Sequence, residues 1–504
     1  MHLLFATPEI APFSSDDAVA TSVARLTAAL RTYRPASHVK DKKNAGENPV
    51  ESVAVVTPLH RGMDPDALRL ARRLDSLKFK WNGKNETVAL WEGTTPERVR
   101  VFFLQHDGYF DRDGIYADSK GRAHKDNAER FGFFSRAVVE FTRKSVLPVD
   151  ILHCSGWTTG LVPVYLDAFG GDELADTLTV YATGDLATAP TYTKKSFDFL
   201  DLPAALFSER ALAQDGRLNT TKSGILFSDF VALPGSFYLD EALDGEQGDW
   251  IADALEERSE DAFGILGGVD LDAWDPSKDE HLSVHFDAEH LNGKRRNKAE
   301  VQHIFDLPPR PLWPLLTFLG PLTPAEGADV LADALDQLLE EGAKLQCVVV
   351  SDGDADNKQR FYDLQQKYPA AIGLHYGTDT ALEHRVLAAA DLLVAPAREA
   401  AWNVRPAQAM RYGTVSIVAA TGTLGDLVED WDGTSELEGD AAPGFVLENA
   451  TKAELVATIK RATKHYGDTR GWRPFVEACI TGTDLGWGRS AHEHVQMYLE
   501  LIEG

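Results

Sequence analysis

The sequence predicts an α/β protein of two doubly wound domains in tandem, each a parallel sheet covered by helices. Three observations predict it. Short apolar runs alternate with helix-length amphipathic spans along both halves of the chain, as repeated strand–helix units do. At 504 residues the chain is too long for one ordinary core. Residues 391–430 read as a complete strand–loop–helix–strand unit followed by a turn.

The elements follow in order. Residues 3–6 are expected as a buried strand and 7–15 as a loop. Residues 16–30 are expected as a helix with Val19, Val23, Leu26 and Leu30 on one face and Ser14, Ser15 or Asp16 as cap. The polar, Lys-, Asn- and Pro-containing stretch 34–50 is an exposed connection before a strand at 53–56. A strand at 101–104, a helix at 127–141 and strands at 151–153 and 178–181 continue the alternation. The second half repeats it, with a helix at 330–339 ending near Gly342, a strand at 345–350 and a helix at 381–390. An apolar run at 392–395 then ends at Pro396, an irregular segment leads to a helix reaching Tyr412, Gly413 stops it, and 415–420 is apolar again. The acidic stretch 429–443 reads as a solvated loop, and the domain join falls between 239 and 268. Ligands in such sheets bind beyond the carboxyl ends of the strands, so a cleft between the domains is the expected site. Thr421-Gly422-Thr423 leads into a helix start, where unpaired N–H groups can hold an anion.

Composition narrows the function. With 44% apolar and 25% charged residues the chain is ordinary for a soluble globular protein. A formal charge of −28 argues against nucleic acid and anionic membrane as partners, because both need clustered cations. Cys154, Cys347 and Cys479 lie far apart with no CxxC, which argues against a disulfide framework or structural zinc site. His281, His285 and His290 lack a metal-site signature and read as a solvated loop, so no metal is expected. No run approaches the roughly 18 apolar residues of a membrane span and the first residues are unlike a leader, so a cytoplasmic protein is expected.

Several stretches together resemble one family. They are Glu9-Ile10-Ala11-Pro12-Phe13, the run YFDRDGIY at 109–116, Asp126-Asn127-Ala128-Glu129-Arg130-Phe131, Phe133-Phe134-Ser135-Arg136-Ala137, and Trp157 with Gly160-Leu161-Val162-Pro163. Lys222-Ser223-Gly224-Ile225-Leu226, Gly264-Ile265-Leu266 with Gly268-Val269-Asp270 and Trp274, Asn297-Lys298, Ala409-Met410-Arg411-Tyr412-Gly413, and Trp487 with Arg489-Ser490-Ala491 complete the set. In this order the chain resembles the bacterial glycogen synthases and plant starch synthases. The resemblance implies a GT-B fold: two doubly wound Rossmann-like domains, 1–255 and 256–485, facing a central cleft, with a final helix, 486–504, crossing back to the first. It also implies a metal-independent, retaining transfer of glucose from ADP-glucose to an α-1,4-glucan, without a cofactor. In such a reaction cations and helix N-termini stabilise the leaving diphosphate.

The chemical positions depart from that pattern. The family's first loop, Lys-Thr-Gly-Gly-Leu, is matched by Ser15, Asp16, Asp17, Ala18 and Val19, so the lysine is absent and carboxylates replace glycines. The His after Trp is Thr158, and the Ile-His-Asn turn is Thr183-Gly184-Asp185. His153 matches another family histidine and is expected to be structural. Ser-Arg-Leu-Thr before Lys-Gly becomes Gly320-Pro321-Leu322-Thr323 before Glu326-Gly327, placing Pro321 and Glu326 where two cations are expected. Losing three charge-assisted contacts removes on the order of 4 to 9 kcal/mol before any discount for non-additivity. Arg-Phe-Glu-Pro-Cys-Gly-Leu is matched by the run from Arg398 to Val404, with Ala400 at the carboxylate, Glu399 one residue early and Trp402 in place of a small residue. Trp402 fits a packed cleft or a stacking platform equally. Thr378 stands where a ring would stack on adenine, with Tyr376 two residues before it. Asp126, Asn127 and Lys222 match substrate-side positions, and Thr421, Gly422 and Thr423 match a phosphate loop; each equally fits a cap or a turn.

The expectation is a synthase-like protein with no catalytic residue in place, acting as a glucan-binding, scaffolding or regulatory subunit. Its partners would be an α-glucan and an active enzyme of glycogen metabolism, with nucleotide-sugar binding weakened. The alternatives are a working glucosyltransferase with a remodelled site or another donor, and a purely structural subunit of a hetero-oligomer.

Overall fold

The computed structural model describes residues 1–14, 18–35, 48–145, 147–184, 186–431, 442–481 and 484–503. The chain divides into two compact units, Met1–Gly267 with Trp487–Gly504, and Gly268–Gly486. The join falls later than 255 because Ala262–Gly264 adds a strand to the edge of the first sheet.

The first unit holds β1 (His2–Ala6), β2 (Ser52–Pro58), β3 (Ala71–Trp81), β4 (Lys84–Thr94), β5 (Arg100–Gln105), β6 (Ile151–Ser155), β7 (Leu178–Ala182), β8 (Thr191–Tyr192), β9 (Ala213–Gln214), β10 (Arg217–Asn219), β11 (Phe230–Leu233) and β12 (Ala262–Gly264). Nine of these form one sheet in the order β12-β11-β7-β6-β1-β2-β5-β4-β3, and β8, β10 and β9 form a small second one. Pairing is parallel from β12 to β5 and antiparallel through β4 and β3. Leu3, Leu4, Phe5 and Ala6 are buried, as a central parallel strand covered on both faces requires. The β3–β4 hairpin was not anticipated. It turns at Asn82-Gly83, both at positive φ (48° and 73°), as a tight two-residue hairpin turn needs.

The first long helix, Ala18–Arg31, buries Ala20, Val23, Leu26, Thr27 and Leu30. Val19, expected on that face, is 42% exposed because the buried stripe runs one step away from it, through Ala20. Ser14 does not cap this helix; its hydroxyl accepts the Ile10 N–H at 2.8 Å. The expected caps Ser15 and Asp16 lie outside the described residues. The last helix, Trp487–Glu503, closes the first unit's core with Ala491, Val495, Met497, Tyr498 and Leu501. Buried His153 stacks on Phe5 at 4.4 Å and hydrogen-bonds the Tyr498 hydroxyl at 2.8 Å, a packing role.

The second unit holds β13 (Leu315–Phe318), β14 (Gln346–Ser351), β15 (Ile372–Tyr376), β16 (Leu392–Ala395), β17 (Val415–Ala419), β18 (Val428–Asp430) and β19 (Ala442–Leu447). They form one sheet in the order β15-β14-β13-β16-β17-β19-β18, parallel throughout. The stretch 429–443, expected as a loop, therefore contributes to β18 and β19 at its ends, and 432–441 lies outside the described residues. Buried Lys298 on the helix Asn292–Ile304 donates to Asp391 at 2.6 Å and to the Trp313 carbonyl at 2.6 Å, fixing that helix to the start of β16.

Both sheets reverse their winding direction once near the middle, between β1 and β6 in the first and between β13 and β16 in the second. Loops beyond the carboxyl ends of such strand pairs form the crevice where ligands bind. Among the described residues no helix is long and apolar enough to cross a membrane.

Candidate functional site

In the second unit the winding reversal brings together the loops after β13, β16 and β17. The loop after β13 is held from below: the Leu322 N–H donates to the Asp352 carbonyl at 2.7 Å, and the Asp354 N–H donates to the Leu322 carbonyl at 3.0 Å. Gly327 joins it to the loop after β16. At φ +71° it lies so close that a Cβ there would sit 2.0 Å from the Pro396 carbonyl oxygen. Arg398 completes the joint, its N–H donating to the Ala325 carbonyl at 2.7 Å and its guanidinium gripping Asp329 at 2.8 and 2.9 Å.

The loop after β16 is tied in turn to the loop after β17. Ala400 is buried, and its carbonyl accepts the Thr423 N–H at 2.9 Å. The Thr423 hydroxyl accepts the Asn403 N–H at 3.0 Å. A Cβ on Gly422, at φ +50°, would stand 1.9 Å from the Ala400 oxygen, so glycine is required for this approach. The N–H groups of Thr421, Thr423, Leu424 and Gly425 all donate to chain carbonyls. The helix they introduce, Thr423–Leu427, is five residues long.

Among the described residues, the cations on and beside these loops are paired with acids. Arg398 is taken by Asp329, Arg405 by Glu383 at 2.8 Å, and Lys358 by Asp352. Glu326 and Glu399 have no ion-pair partner among the described residues. Half-burial pushes the Glu326 carboxyl above the ordinary carboxylate range by removing water from its charged form. Pro321, Thr378 and Tyr376 are exposed, and the Tyr376 hydroxyl donates to the Lys358 carbonyl at 2.7 Å. Half-buried Trp402 lies on the loop after β16.

In the first unit, Ser15, Asp16, Asp17 and Asp185 lie outside the described residues. Thr158, in the loop after β6, is buried, and its hydroxyl has no hydrogen-bond partner among the described residues. Asp126, Asn127 and Lys222 are each engaged within the chain. Asp126 accepts two bonds from Arg112, at 2.8 and 2.9 Å. The Asn127 amide donates to the Tyr116 carbonyl at 2.9 Å and accepts from Arg130 at 2.7 Å. Lys222 is nearly buried, and its ammonium donates to the carbonyls of Glu209 at 2.6 Å and Ala213 at 3.0 Å. All three act as braces in this arrangement. The sequence reading missed an aromatic group beside them, in which Trp157 lies 5.9 Å from Tyr116, 5.1 Å from Phe131 and 6.3 Å from Tyr192. The local run around Tyr192 carries no pattern that singles it out. Such rings offer flat apolar faces to a sugar.

Among the described residues no group of three or more His, Cys, Asp or Glu side chains is placed to hold a metal ion. His285 instead bonds the Asp279 carbonyl at 2.9 Å.

Comparison with known proteins agrees across the chain. Residues 2–257 match the family described as starch synthase catalytic domain, and 313–465 match glycosyl transferases group 1. A glycogen synthase from Anaeromyxobacter dehalogenans is 33% identical over all of both chains. One from Thioalkalivibrio sulfidiphilus is 32% identical, again over all of both. Among solved structures, the catalytic domain of starch synthase IV from Arabidopsis thaliana, bound to ADP and acarbose, superposes with a TM-score of 0.82 at 26% identity, covering 100% of this chain and 99% of that one.

Proposed function

From the premise that this chain belongs to the glycogen and starch synthase family, with its two-domain Rossmann-like GT-B fold, we propose that it has lost glucosyl transfer and serves as an α-glucan-binding or scaffolding subunit of glycogen metabolism. The observation that carries the reading is the packing of the second unit's winding reversal. Ala400 presents a methyl group and its carbonyl occupies the Thr423 N–H. Glu326 supplies a half-buried carboxyl, and Arg398, Arg405 and Lys358 are each neutralised by an internal acid. A leaving diphosphate needs cations and free N–H groups there. Related synthases act on α-glucan, and the ring cluster of Trp157, Tyr116 and Tyr192 supports glucan binding as the remaining task.

The decisive experiment incubates purified protein with labelled ADP-glucose or UDP-glucose and glycogen. No incorporation above a protein-free blank is expected, while retarded migration in glycogen-containing native gels is expected. Sustained incorporation overturns the loss of transfer, and unchanged mobility overturns glucan binding.

A second reading is an active glucosyltransferase with a remodelled site. Full-length relatives named glycogen synthase support it, as does exposed Glu399 beside Ala400, which offers a carboxylate one residue early. The same incorporation assay separates the two.

A further inference from the structure

A cavity of about 350 Å³ lies in the first unit where the helix Asn127–Lys144 runs out over β3, β4 and β5. Its size is within the roughly 300–1,000 Å³ range of small-molecule sites. The floor is apolar: Leu77, Leu90, Phe102 and Phe141 line it, and none is more than 8% exposed. Three cations from three separate places stand in the wall. Arg73 sits at the irregularity of β3 between Arg72 and Ser76, Arg100 begins β5, and Lys144 ends the helix.

These cations are held in position by carboxylates fewer than themselves. Glu92 accepts from Arg73 at 3.0 Å and from Arg100 at 2.8 and 2.9 Å, one carboxylate shared by two guanidiniums. The Arg100 guanidinium also lies 5.0 Å over the Phe102 ring. Lys144 donates to the Lys78 carbonyl at 2.9 Å; its carboxylate neighbour Glu140, 3.6 Å away, is itself bound by Arg136 and Arg143 at 2.7 and 2.8 Å. The three side chains remain 42–43% exposed, open to a ligand. Among the described side chains, Arg73, Arg100 and Lys144 outnumber the Glu92 carboxylate at this apolar floor, in a chain whose net charge is −28. Such concentration of cations against the overall charge is the pattern of an anion site.

We propose that this cavity binds a small organic phosphate monoester. The dianionic head lies between Arg73, Arg100 and Lys144, where guanidinium forks match phosphate oxygens, and a ring-sized body lies against Phe102 and Leu77. The surplus of cations among the described side chains suits a dianion. The site lies across β2 and β5 from the β1–β6 winding reversal, so it does not rest on the donor and acceptor reading above.

The test is calorimetry on the full chain at low ionic strength, with phenyl phosphate, inorganic phosphate and phenol as probes. One equivalent of phenyl phosphate is expected to bind at least tenfold tighter than inorganic phosphate, with no heat from phenol. Arg100→Gln and Lys144→Gln are each expected to weaken it about tenfold or more. Both residues are part-exposed, so thermal unfolding should stay near that of the parent protein. Arg73→Gln makes the same test should Arg100→Gln lower the folded fraction. Absence of saturable binding, equal affinity for inorganic phosphate, or phenyl phosphate binding unaffected by the variants overturns the proposal.

Discussion

The carbonyl of Ala400 accepts the N–H of Thr423 at 2.9 Å, a backbone hydrogen bond that joins the loops after β16 and β17. The bond depends on Gly422, whose α-carbon hydrogen faces the same oxygen. A donor that could meet a phosphate oxygen is thereby spent within the chain.

Gly422→Ala places a Cβ 1.9 Å from that oxygen at a left-handed φ. Strain and separation of the loops should lower stability by about 2 kcal/mol or more. Urea unfolding of the two proteins checks it, and equal midpoints would show that the loops relax freely.

Glu326→Lys exchanges a half-buried carboxyl for a cation at the same loop. If the negative charge is what repels a diphosphate, ADP affinity should rise by roughly tenfold or more in calorimetry. On the proposed loss of transfer, the variant should incorporate no labelled glucose either, since Ala400 is unaltered. Unchanged ADP affinity would place the obstruction elsewhere.

Lys298→Ala leaves the Asp391 carboxylate buried without its cation. Removing one member of a buried pair costs about 3–5 kcal/mol. The second unit should unfold at lower denaturant concentration, read by fluorescence and by protease sensitivity within 268–486.

His60 and His494 are held down to about 4, in both cases chiefly because burial penalises the charged ring. At neutral pH both are uncharged whether the chain is folded or unfolded. As pH falls below about 6.5 the unfolded chain takes up protons that the folded chain refuses, so stability declines until about pH 4 and then levels. Thermal unfolding between pH 7 and pH 4 should show this loss. His494→Gln should flatten part of it, and an unchanged slope would remove His494 from the account.

The parallel strands were legible because burial on both faces writes them as apolar runs: 3–6, 151–153 and 392–395 lie in strands, and the run 415–420 does so up to Ala419. Glycine stops were legible for the same physical reason, since Gly342 and Gly413 do take positive φ. The β3–β4 hairpin was missed although Asn82-Gly83, the strongest short hairpin signal, stood in the sequence. The alternation stood there too, with Leu77, Phe79 and Trp81 buried between exposed Lys78 and Lys80, and is interrupted only by the irregularity between Arg72 and Ser76. The cavity wall was illegible for another reason: Arg73, Arg100 and Lys144 are brought together by sheet register and a helix end, not by spacing. Residue types at the candidate site could be read from the chain. What engages them could not, since the partners of Asp126, Lys222 and Thr423 are carbonyls or distant side chains.

The final helix has a consequence for biosynthesis. The first unit's core includes Val495, Tyr498 and Leu501, whereas the second unit is continuous from Gly268 to Gly486. A ribosome therefore delivers every residue of the second unit before the first can be completed. The amino-terminal half must wait with its β1–β6 floor unsealed, and the later-made half can finish first. Nascent chains halted before residue 487 should accordingly hold a protease-resistant second unit beside a susceptible first one.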